Sequence, residues 1–272
     1  MISCFHRKTR LLLILSSMLL VLACNENNNN RPVHIFLAGD STMANKDLYK
    51  TVYDSIAGDS VRDVWPERGW GMLLPEFFDE NIVVKNHAMN GRSTRSFRYE
   101  GRWDSLLNNV QKGDYVVIQF GHNDGSENKV ERYATPKEYK WNLNEYICDV
   151  KAKGGIPILC TPVVRRKFDE ASNFVDTHGE YPDIVRETAL ANQVVLIDMY
   201  EKSKDLLIQT GEEESKKLFM HVPPGFTKIL PDGLEDNTHY REDGARLAAS
   251  LFIEDLKENN VTDITCHLKE QE

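Results

Sequence analysis

Five short apolar runs are spread along the chain and separated by segments of mixed polarity. Each run is nearly continuous and rich in β-branched residues, which is typical of strands buried on both faces of a parallel sheet. The runs cover residues 33–38, 82–85, 115–120, 156–159 and 194–197. Segments between them, and a late segment over 247–256, place apolar residues at helical spacing. This alternation predicts an α/β fold built on a five-stranded parallel sheet.

Three longer stretches lack such a pattern. They cover residues 44–70, 162–180 and 211–238 and are predicted to be functional loops. A Gly-Asp-Ser tripeptide at 58–60 falls in the first stretch, with no apolar run before it, and is predicted to be an acidic loop. Beyond residue 31 the sequence has no internal repeat, no further linker and no break in composition. We therefore predict a single domain over residues 32–272.

The N-terminus follows a different pattern. Basic residues within 6–10 precede an apolar run over 11–22, which is the layout of an export signal and is short for a bilayer span. The run ends in Val-Leu-Ala-Cys, which resembles the bacterial lipobox that leaves a diacylated Cys24, although Leu22 departs from the small residue usual there. We predict a signal peptide over 1–23, a flexible Asn-rich tether over 24–31, and a lipid-anchored protein of the bacterial cell envelope, at the outer membrane or periplasmic face. A plain secreted protein and an uncleaved anchor are the alternatives.

Charge and cysteine content exclude several classes of protein. The net charge of −9 argues against a nucleic-acid partner, which would need a surplus of Lys and Arg. Removal of the signal peptide and lipidation of Cys24 leave three cysteines, and an odd number is not a disulfide framework. Cys148 and Cys160 could still pair, although free thiols are the more common outcome. The sequence contains no HExxH or CxxC motif, so no metal site is predicted.

Polar blocks follow the first three predicted strands. They read Gly-Asp-Ser-Thr at 39–42, Asn-His-Ala-Met-Asn-Gly-Arg-Ser at 86–93 and Gly-His-Asn-Asp at 121–124. A fourth block, at 236–239, places an acid and a histidine three residues apart on a predicted turn before the last helix. Because open α/β sheets bind ligands at the carboxyl ends of their strands, we expect the blocks to meet at one sheet edge.

The residue types in these blocks suit acyl transfer. Ser41 would be the nucleophile, His239 the base that takes its proton, and Asp236 the carboxylate that orients the imidazole. A tetrahedral intermediate also needs N–H donors for its oxyanion. The backbone N–H groups of Ser41 and Gly91 and the side-chain amide of Asn123 are the candidates. Each residue also has a structural interpretation, such as a helix N-cap for Ser41 or a local turn for Asn123.

Taken in order, the four blocks resemble the SGNH branch of the GDSL hydrolases, and within it the rhamnogalacturonan acetylesterase family. The first block reads GDST, as in that subfamily, and not GDSL. Gly-Trp-Gly at 69–71 and Thr-Pro-Val-Val-Arg at 161–165 are similar to further family stretches, so the resemblance covers roughly residues 33–255. It implies a flavodoxin-like three-layer α/β/α sandwich, the SGNH hydrolase fold. It also implies the same roles for Ser41, Asp236, His239, Gly91 and Asn123.

The resemblance further implies a serine esterase that removes O-acetyl groups from pectic polysaccharide, most directly rhamnogalacturonan, with no cofactor. An acetylated acidic polysaccharide or oligosaccharide needs cations, and Arg92 and Arg95 after Gly91 and Arg165 after the fourth strand are the candidates. Trp65, Trp70 and Trp103 are candidate sugar-stacking faces or core residues. An esterase for xylan or small acetyl esters, and a glycan-binding surface lipoprotein without catalysis, are the alternatives. The sequence makes no prediction about self-association.

Overall fold

The structure, a computed structural model, describes residues 31–54 and 58–270. The predicted signal peptide, Cys24 and residues 25–30 of the predicted tether lie outside this part of the chain. The strands are β1 (Val33–Gly39), β2 (Tyr49–Asp54), β3 (Asp59–Val64), β4 (Glu67–Arg68), β5 (Ile82–Asn86), β6 (Tyr115–Gln119), β7 (Ile156–Cys160), β8 (Val195–Ile197), β9 (Phe219–Val222) and β10 (Leu234–Arg241). The α-helices are α1 (Trp70–Leu73), α2 (Thr94–Tyr99), α3 (Arg102–Leu107), α4 (Pro136–Ala152), α5 (Tyr181–Asn192), α6 (Met199–Thr210), α7 (Glu212–Ser215), α8 (Glu242–Glu258) and α9 (Thr262–Thr265), with 3-10 turns at Leu74–Phe77 and Lys216–Leu218.

The central sheet is parallel and has the strand order β5-β1-β6-β7-β8. Its strands are the five apolar runs predicted from the sequence, so that prediction is confirmed. Numbered along the chain, the order is 2-1-3-4-5, which is the flavodoxin-like doubly wound order. Strand β1 lies between β5 and β6, with Ile35 paired to Val84 on one side and to Tyr115 on the other. The loops that follow these three strands therefore leave the sheet side by side.

Helices cover both faces of this sheet, as the predicted three-layer sandwich requires. Ile35 and Leu37 of β1 face a core that includes buried residues of α1, α6 and α8. Phe36 and Ala38, which alternate with them, face a second core formed with α3, α4 and α5. Continuous apolar runs are needed here because a strand between two helical layers buries both of its faces.

Two of the three predicted loops contain strands, so the loop prediction was wrong there. Residues 44–70 include the antiparallel hairpin β2–β3 as well as β4, and Asp59 of the second Gly-Asp-Ser tripeptide begins β3. Residues 211–238 include α7, β9 and part of β10, and β4, β10 and β9 form a three-stranded sheet. The hairpin strands alternate between half-buried and exposed residues, so they lack the continuous apolar run that marks the central strands.

For several cysteine and tryptophan side chains the sequence allows two roles, and their burial in the structure decides between them. Cys148 is exposed on α4 and Cys160 is buried at the end of β7, and both thiols are free, so they do not form a disulfide. Trp70 and Trp103 are fully buried in the two cores and cannot stack on a sugar. In the part of the chain described here, no helix is both long and apolar enough to cross a membrane.

Candidate active site

Ser41 lies in the tight turn that follows β1. The carboxylate of Asp40 is buried and accepts hydrogen bonds from the backbone N–H of Thr42 at 2.9 Å and from its hydroxyl at 2.8 Å. The backbone carbonyl of Asp40 also accepts from the N–H of Ala44 at 3.1 Å. Burial raises the pKa of the Asp40 carboxyl. These bonds close the turn and leave Ser41 at the carboxyl edge of the sheet.

The predicted Gly-Trp-Gly stretch packs directly against the residues that follow Ser41. A Cβ atom at Gly69 would lie 2.2 Å from the carbonyl oxygen of Ala44, so only glycine allows this approach. The indole N–H of Trp70 donates to the buried side chain of Gln119 at 3.0 Å. The stretch therefore supports the serine turn from inside the core.

Asp236 and His239 lie on β10, where the sequence analysis had predicted a turn before the last helix. Pairing between β10 and β9 holds at Asp236 and resumes at Tyr240, with an irregularity in between. Within that irregularity, the Oδ1 atom of Asp236 accepts hydrogen bonds from the backbone N–H of Thr238 at 2.7 Å and of His239 at 3.1 Å. A local Asp-capped turn is thus built into a bulged strand, which the spacing of residues alone does not reveal.

Ser41, His239 and Asp236 form a continuous chain of hydrogen bonds. Nδ1 of His239 lies 2.6 Å from Oδ2 of Asp236, and Nε2 lies 2.8 Å from Oγ of Ser41. Because an ionised carboxylate can only accept, the imidazole proton is assigned to Nδ1. Nε2 is then free to accept the proton of the Ser41 hydroxyl.

The two ionisable groups of this chain shift each other's pKa in opposite directions. Burial alone would lower the pKa of His239, but the hydrogen bond and the charge of Asp236 outweigh it, and the pKa is raised above its usual 6.5. Burial would raise the pKa of Asp236, but the bond and charge of His239 and two backbone N–H groups lower it to about 2. Asp236 therefore stays ionised across the physiological pH range.

Gly91 and Asn123 lie in the loops that follow the two strands beside β1. Gly91 has a φ of +76°, a left-handed conformation that favours glycine. Asn123 is buried, and its Nδ2 donates to the carbonyl of Arg92 at 2.8 Å. The N–H of Met89 also donates to the carbonyl of Gly39 at 3.0 Å. These bonds join the three strand-end blocks at one edge, as predicted.

The third block is also joined to the second through Asp124. This buried carboxylate accepts from the backbone N–H of Thr94 at 2.9 Å and from its hydroxyl at 2.5 Å. Burial raises the pKa of Asp124 to about 7, although the bonds from Thr94 partly oppose the shift.

Two charged residues near the site were missed by the sequence analysis. The Lys46 ammonium is buried and contacts Glu67 and the side chain of Asn90, each at 2.6 Å. The Arg132 guanidinium donates to Oδ1 of Asn123 at 2.9 Å. Both residues lie in polar segments without periodicity, so no pattern in the sequence marks them.

The structure brings together two of the three arginines predicted to bind substrate. A cavity of about 500 Å³ is lined by Arg92 and Arg95 together with Gly91, Arg132 and other residues. Arg165 does not line this cavity: its guanidinium donates to the carbonyl of His122 at 3.0 Å and interacts electrostatically with Asp40 and Asp236, beside the hydrogen-bonded chain of Ser41, His239 and Asp236. Over the residues with described positions, no group of three or more acidic, His or Cys side chains is arranged to hold a metal ion.

Comparison with known proteins agrees with the fold and the sequence motifs. The model of the GDSL-like lipase/acylhydrolase family matches residues 37–247. Rhamnogalacturonan acetylesterase RhgT of Bacillus subtilis is 37% identical over 228 residues, which are 84% of this chain and 91% of that protein. The probable rhamnogalacturonan acetylesterase YesY of the same organism is 35% identical over 226 residues, 83% of this chain and 93% of that protein.

Solved structures share the architecture. The crystal structure of YxiM from Bacillus subtilis superposes with a TM-score of 0.69 and 26% identity over 86% of this chain and 58% of that one. The acetylxylan esterase Axe2 of Geobacillus stearothermophilus gives a TM-score of 0.57 at 17% identity, over 83% of this chain and 94% of that one. The second likeness is one of fold alone.

Proposed function

The chain belongs to the GDSL-like lipase/acylhydrolase family of carboxylic ester hydrolases, and we propose that it is a serine esterase that removes O-acetyl groups from pectic polysaccharide, with rhamnogalacturonan as the substrate. The observation that carries this proposal is the chain of hydrogen bonds from Ser41 through His239 to Asp236. A hydroxyl, a base and an orienting carboxylate in this order are what acyl transfer requires, and this supports the proposal.

The first half of the proposed reaction acylates the enzyme. Oγ of Ser41 attacks the acetyl carbonyl while Nε2 of His239 accepts the hydroxyl proton, and Asp236 stabilises the imidazolium that forms. The oxyanion of the tetrahedral intermediate is stabilised by the N–H groups of Ser41 and Gly91 and by the amide of Asn123. His239 then protonates the sugar oxygen as its bond to the acetyl carbon breaks, so the sugar leaves with a free hydroxyl and the acetyl group stays on Ser41.

The second half regenerates the enzyme. Water attacks the acetyl carbonyl while His239 accepts one of its protons, and the same N–H donors stabilise the second oxyanion. His239 returns the proton to Oγ of Ser41, and acetate leaves. Because only a neutral His239 can accept a proton, and its pKa is raised above 6.5, activity should rise with pH through that raised value.

The assignment of substrate rests on the relatives and on the cavity beside Gly91. Relatives that are 35% and 37% identical over most of this chain are named as rhamnogalacturonan acetylesterases. The guanidinium groups of Arg92 and Arg95 line that cavity and suit the carboxylates of an acidic polysaccharide. Arg92 already pairs with Glu100 at 3.0 Å, so Arg95 is the more accessible cation.

The proposal includes the cellular setting predicted from the N-terminus. The protein would be exported and held at the bacterial envelope by lipid on Cys24, with residues 32–272 as one catalytic domain. The basic and apolar pattern of residues 6–24 supports this. Mass spectrometry of the membrane fraction tests it, because a mature N-terminus without acyl chains on Cys24 would remove the anchor.

Acetate release tests the chemistry and the substrate together. Purified protein is assayed on acetylated rhamnogalacturonan, acetylated xylan and a small acetyl ester. Ser41→Ala should lower turnover by about 10³-fold or more, because the nucleophile is lost. Ser60→Ala is the matched control, since Ser60 belongs to the second Gly-Asp-Ser tripeptide and is exposed on β3; it should leave turnover unchanged.

The outcomes separate the alternatives. Ser41-dependent release that is selective for rhamnogalacturonan supports the whole proposal. Ser41-dependent release only from xylan or the small ester keeps the mechanism and rejects the pectic substrate. No Ser41-dependent release from any of them rejects the esterase and leaves a glycan-binding protein.

A further inference from the structure

Arg132 lies outside the four sequence blocks, yet its guanidinium lies beside two of the three proposed oxyanion donors. Nη1 donates to Oδ1 of Asn123 at 2.9 Å. The same Nη1 lies 3.4 Å from the position that a Cβ atom would take at Gly91, so it packs over the glycine. The Nε atom faces the exposed carboxylate of Glu131 at 3.3 Å.

The bond from Arg132 fixes which way the Asn123 amide faces. The oxygen and nitrogen of an amide are alike in shape, and the group can rotate by a half-turn unless its partners distinguish them. Arg132 can only donate, so it selects the oxygen, while the carbonyl of Arg92 can only accept and selects the nitrogen at 2.8 Å. Both partners therefore hold the same orientation.

In that orientation, one of the two N–H groups of the Asn123 amide takes part in neither of these hydrogen bonds. The Asn123 amide has two N–H donors, and the carbonyl of Arg92 takes one of them. If the amide rotated by a half-turn, its oxygen would face the Arg92 carbonyl and its N–H groups would face a cation. Arg132 thus favours the orientation in which Asn123 keeps one N–H available to donate to an oxyanion.

We propose that Arg132 is a positioning residue of the oxyanion hole, which orients the Asn123 amide and covers the Gly91 turn. This inference rests on the proposed function, because an oxyanion hole has a role only in acyl transfer. Arg132 also lines the cavity beside Gly91, so binding of a substrate carboxylate is the competing role. A neutral acetyl ester separates the two, because it has no carboxylate to bind.

The kinetic test compares Arg132→Met with the wild type on a small neutral acetyl ester. Arg132→Met should lower kcat at least 10-fold with little change in KM. A misplaced donor weakens the hydrogen bond to the oxyanion, and that bond forms only in the transition state. Arg132→Lys, which keeps a donor, should recover part of kcat. Lys129→Met removes an exposed cation three residues away in the same loop and should change neither constant.

A double-mutant cycle separates positioning from general damage. Asn123→Ala should lower kcat by about 10²-fold, as expected for one oxyanion donor. Adding Arg132→Met to Asn123→Ala should cause no further loss, because the amide that Arg132 orients is already gone. An equal loss in both backgrounds, or a change confined to KM, would overturn the proposal.

A readout that needs no turnover keeps the test independent of the esterase proposal. In ¹⁵N NMR spectra, the side-chain amide of Asn123 is assigned by its disappearance in Asn123→Ala. Arg132→Met should shift this signal and speed its exchange with water, whereas Lys129→Met should leave it unchanged. An unchanged Asn123 signal in Arg132→Met overturns the positioning role. Absence of Ser41-dependent turnover in the wild type overturns the proposed function and with it the oxyanion hole, while the NMR signal still reports whether Arg132 orients the amide.

Discussion

The two halves of the candidate site are positioned by different kinds of structure. Ser41, Gly91 and Asn123, here the serine half, lie in loops at the ends of neighbouring parallel strands, and the register of the central sheet fixes their spacing. Asp236 and His239, here the histidine half, lie on an irregular strand of the separate sheet formed by β4, β10 and β9. The hydrogen bond between Ser41 and His239 therefore joins two sheets through residues 198 positions apart.

The two halves also differ in what anchors them. Buried carboxylates, Asp40 and Asp124, hold the strand-end loops through backbone N–H groups and threonine hydroxyls. The half with Asp236 is instead tied to the loop after β7 by Arg166, whose Nη1 donates to Oδ1 of Asn237 at 3.0 Å. The serine half is thus held by carboxylates within its own strand-end blocks, whereas the histidine half is held by a cation from a loop outside its sheet.

The largest effect is expected from a change within the histidine half itself. Asp236→Asn should lower kcat by roughly 10³- to 10⁴-fold, because the amide cannot stabilise the imidazolium or hold the productive tautomer. Removal of the negative charge should also lower the pKa of His239, which Asp236 now raises. The acidic limb of the pH–rate profile should accordingly move to lower pH.

Glu235→Gln is the matched control, since it removes an exposed carboxylate from the neighbouring position of β10. Its kcat and pH profile should equal those of the wild type. A wild-type pH profile in Asp236→Asn would contradict the assignment of Asp236 as the partner of His239.

A smaller effect is expected from loosening the anchor of the histidine half. Arg166 is buried and bonds the side chains of Ser215 and Asn237 and the carbonyl of Glu212. Arg166→Met should lower the free energy of unfolding by about 2–4 kcal/mol, because buried acceptors lose a charged donor. It should also lower kcat, since Asn237 adjoins Asp236.

Urea denaturation monitored by circular dichroism measures this loss of stability. Lys167→Met, at the next and exposed position, should change the free energy of unfolding by less than about 0.5 kcal/mol. If Arg166→Met unfolds like the wild type and keeps full turnover, the histidine half does not depend on this anchor.

The smallest effect is expected at Asp124, a buried carboxyl that holds the serine half, and concerns how the free energy of unfolding depends on pH. The pKa of Asp124 is raised from 3.8 to about 7 by burial, so between these values the folded protein holds more protons than the unfolded chain. Stability is therefore lost as the pH rises through this window. Between about pH 5 and pH 8, the free energy of unfolding of Asp124→Asn should fall by about 2 kcal/mol less than that of the wild type.

The free energy of unfolding at the two pH values, compared between variants, checks this prediction. Asp205→Asn is the control, since Asp205 lies at an exposed position of α6. Its free energy of unfolding should decline with pH as that of the wild type does. The same decline in Asp124→Asn and in the wild type would show that Asp124 does not change its charge between the two pH values, which contradicts a pKa of about 7.

The sequence by itself determined the central sheet and the identity of the candidate residues. Strands buried on both faces must be continuously apolar, so all five could be recognised, and the polar blocks at their ends marked Ser41, Gly91 and Asn123. Asp236 and His239 could be recognised from their spacing and their place before α8. Each of these signals is local, since it lies within a few consecutive residues.

Only the tertiary structure decided how the histidine half is built and which residues support the site. The strands β2, β3 and β10 expose polar positions, so their pattern resembles that of loops. Lys46 contacts Asn90 in another loop, Arg132 bonds Asn123 of its own loop and packs over Gly91 of another, and Arg165 donates to the carbonyl of His122, 43 positions before it. The physical reason is that a charged side chain takes its role from its partners, and folding brings those partners together from distant parts of the chain.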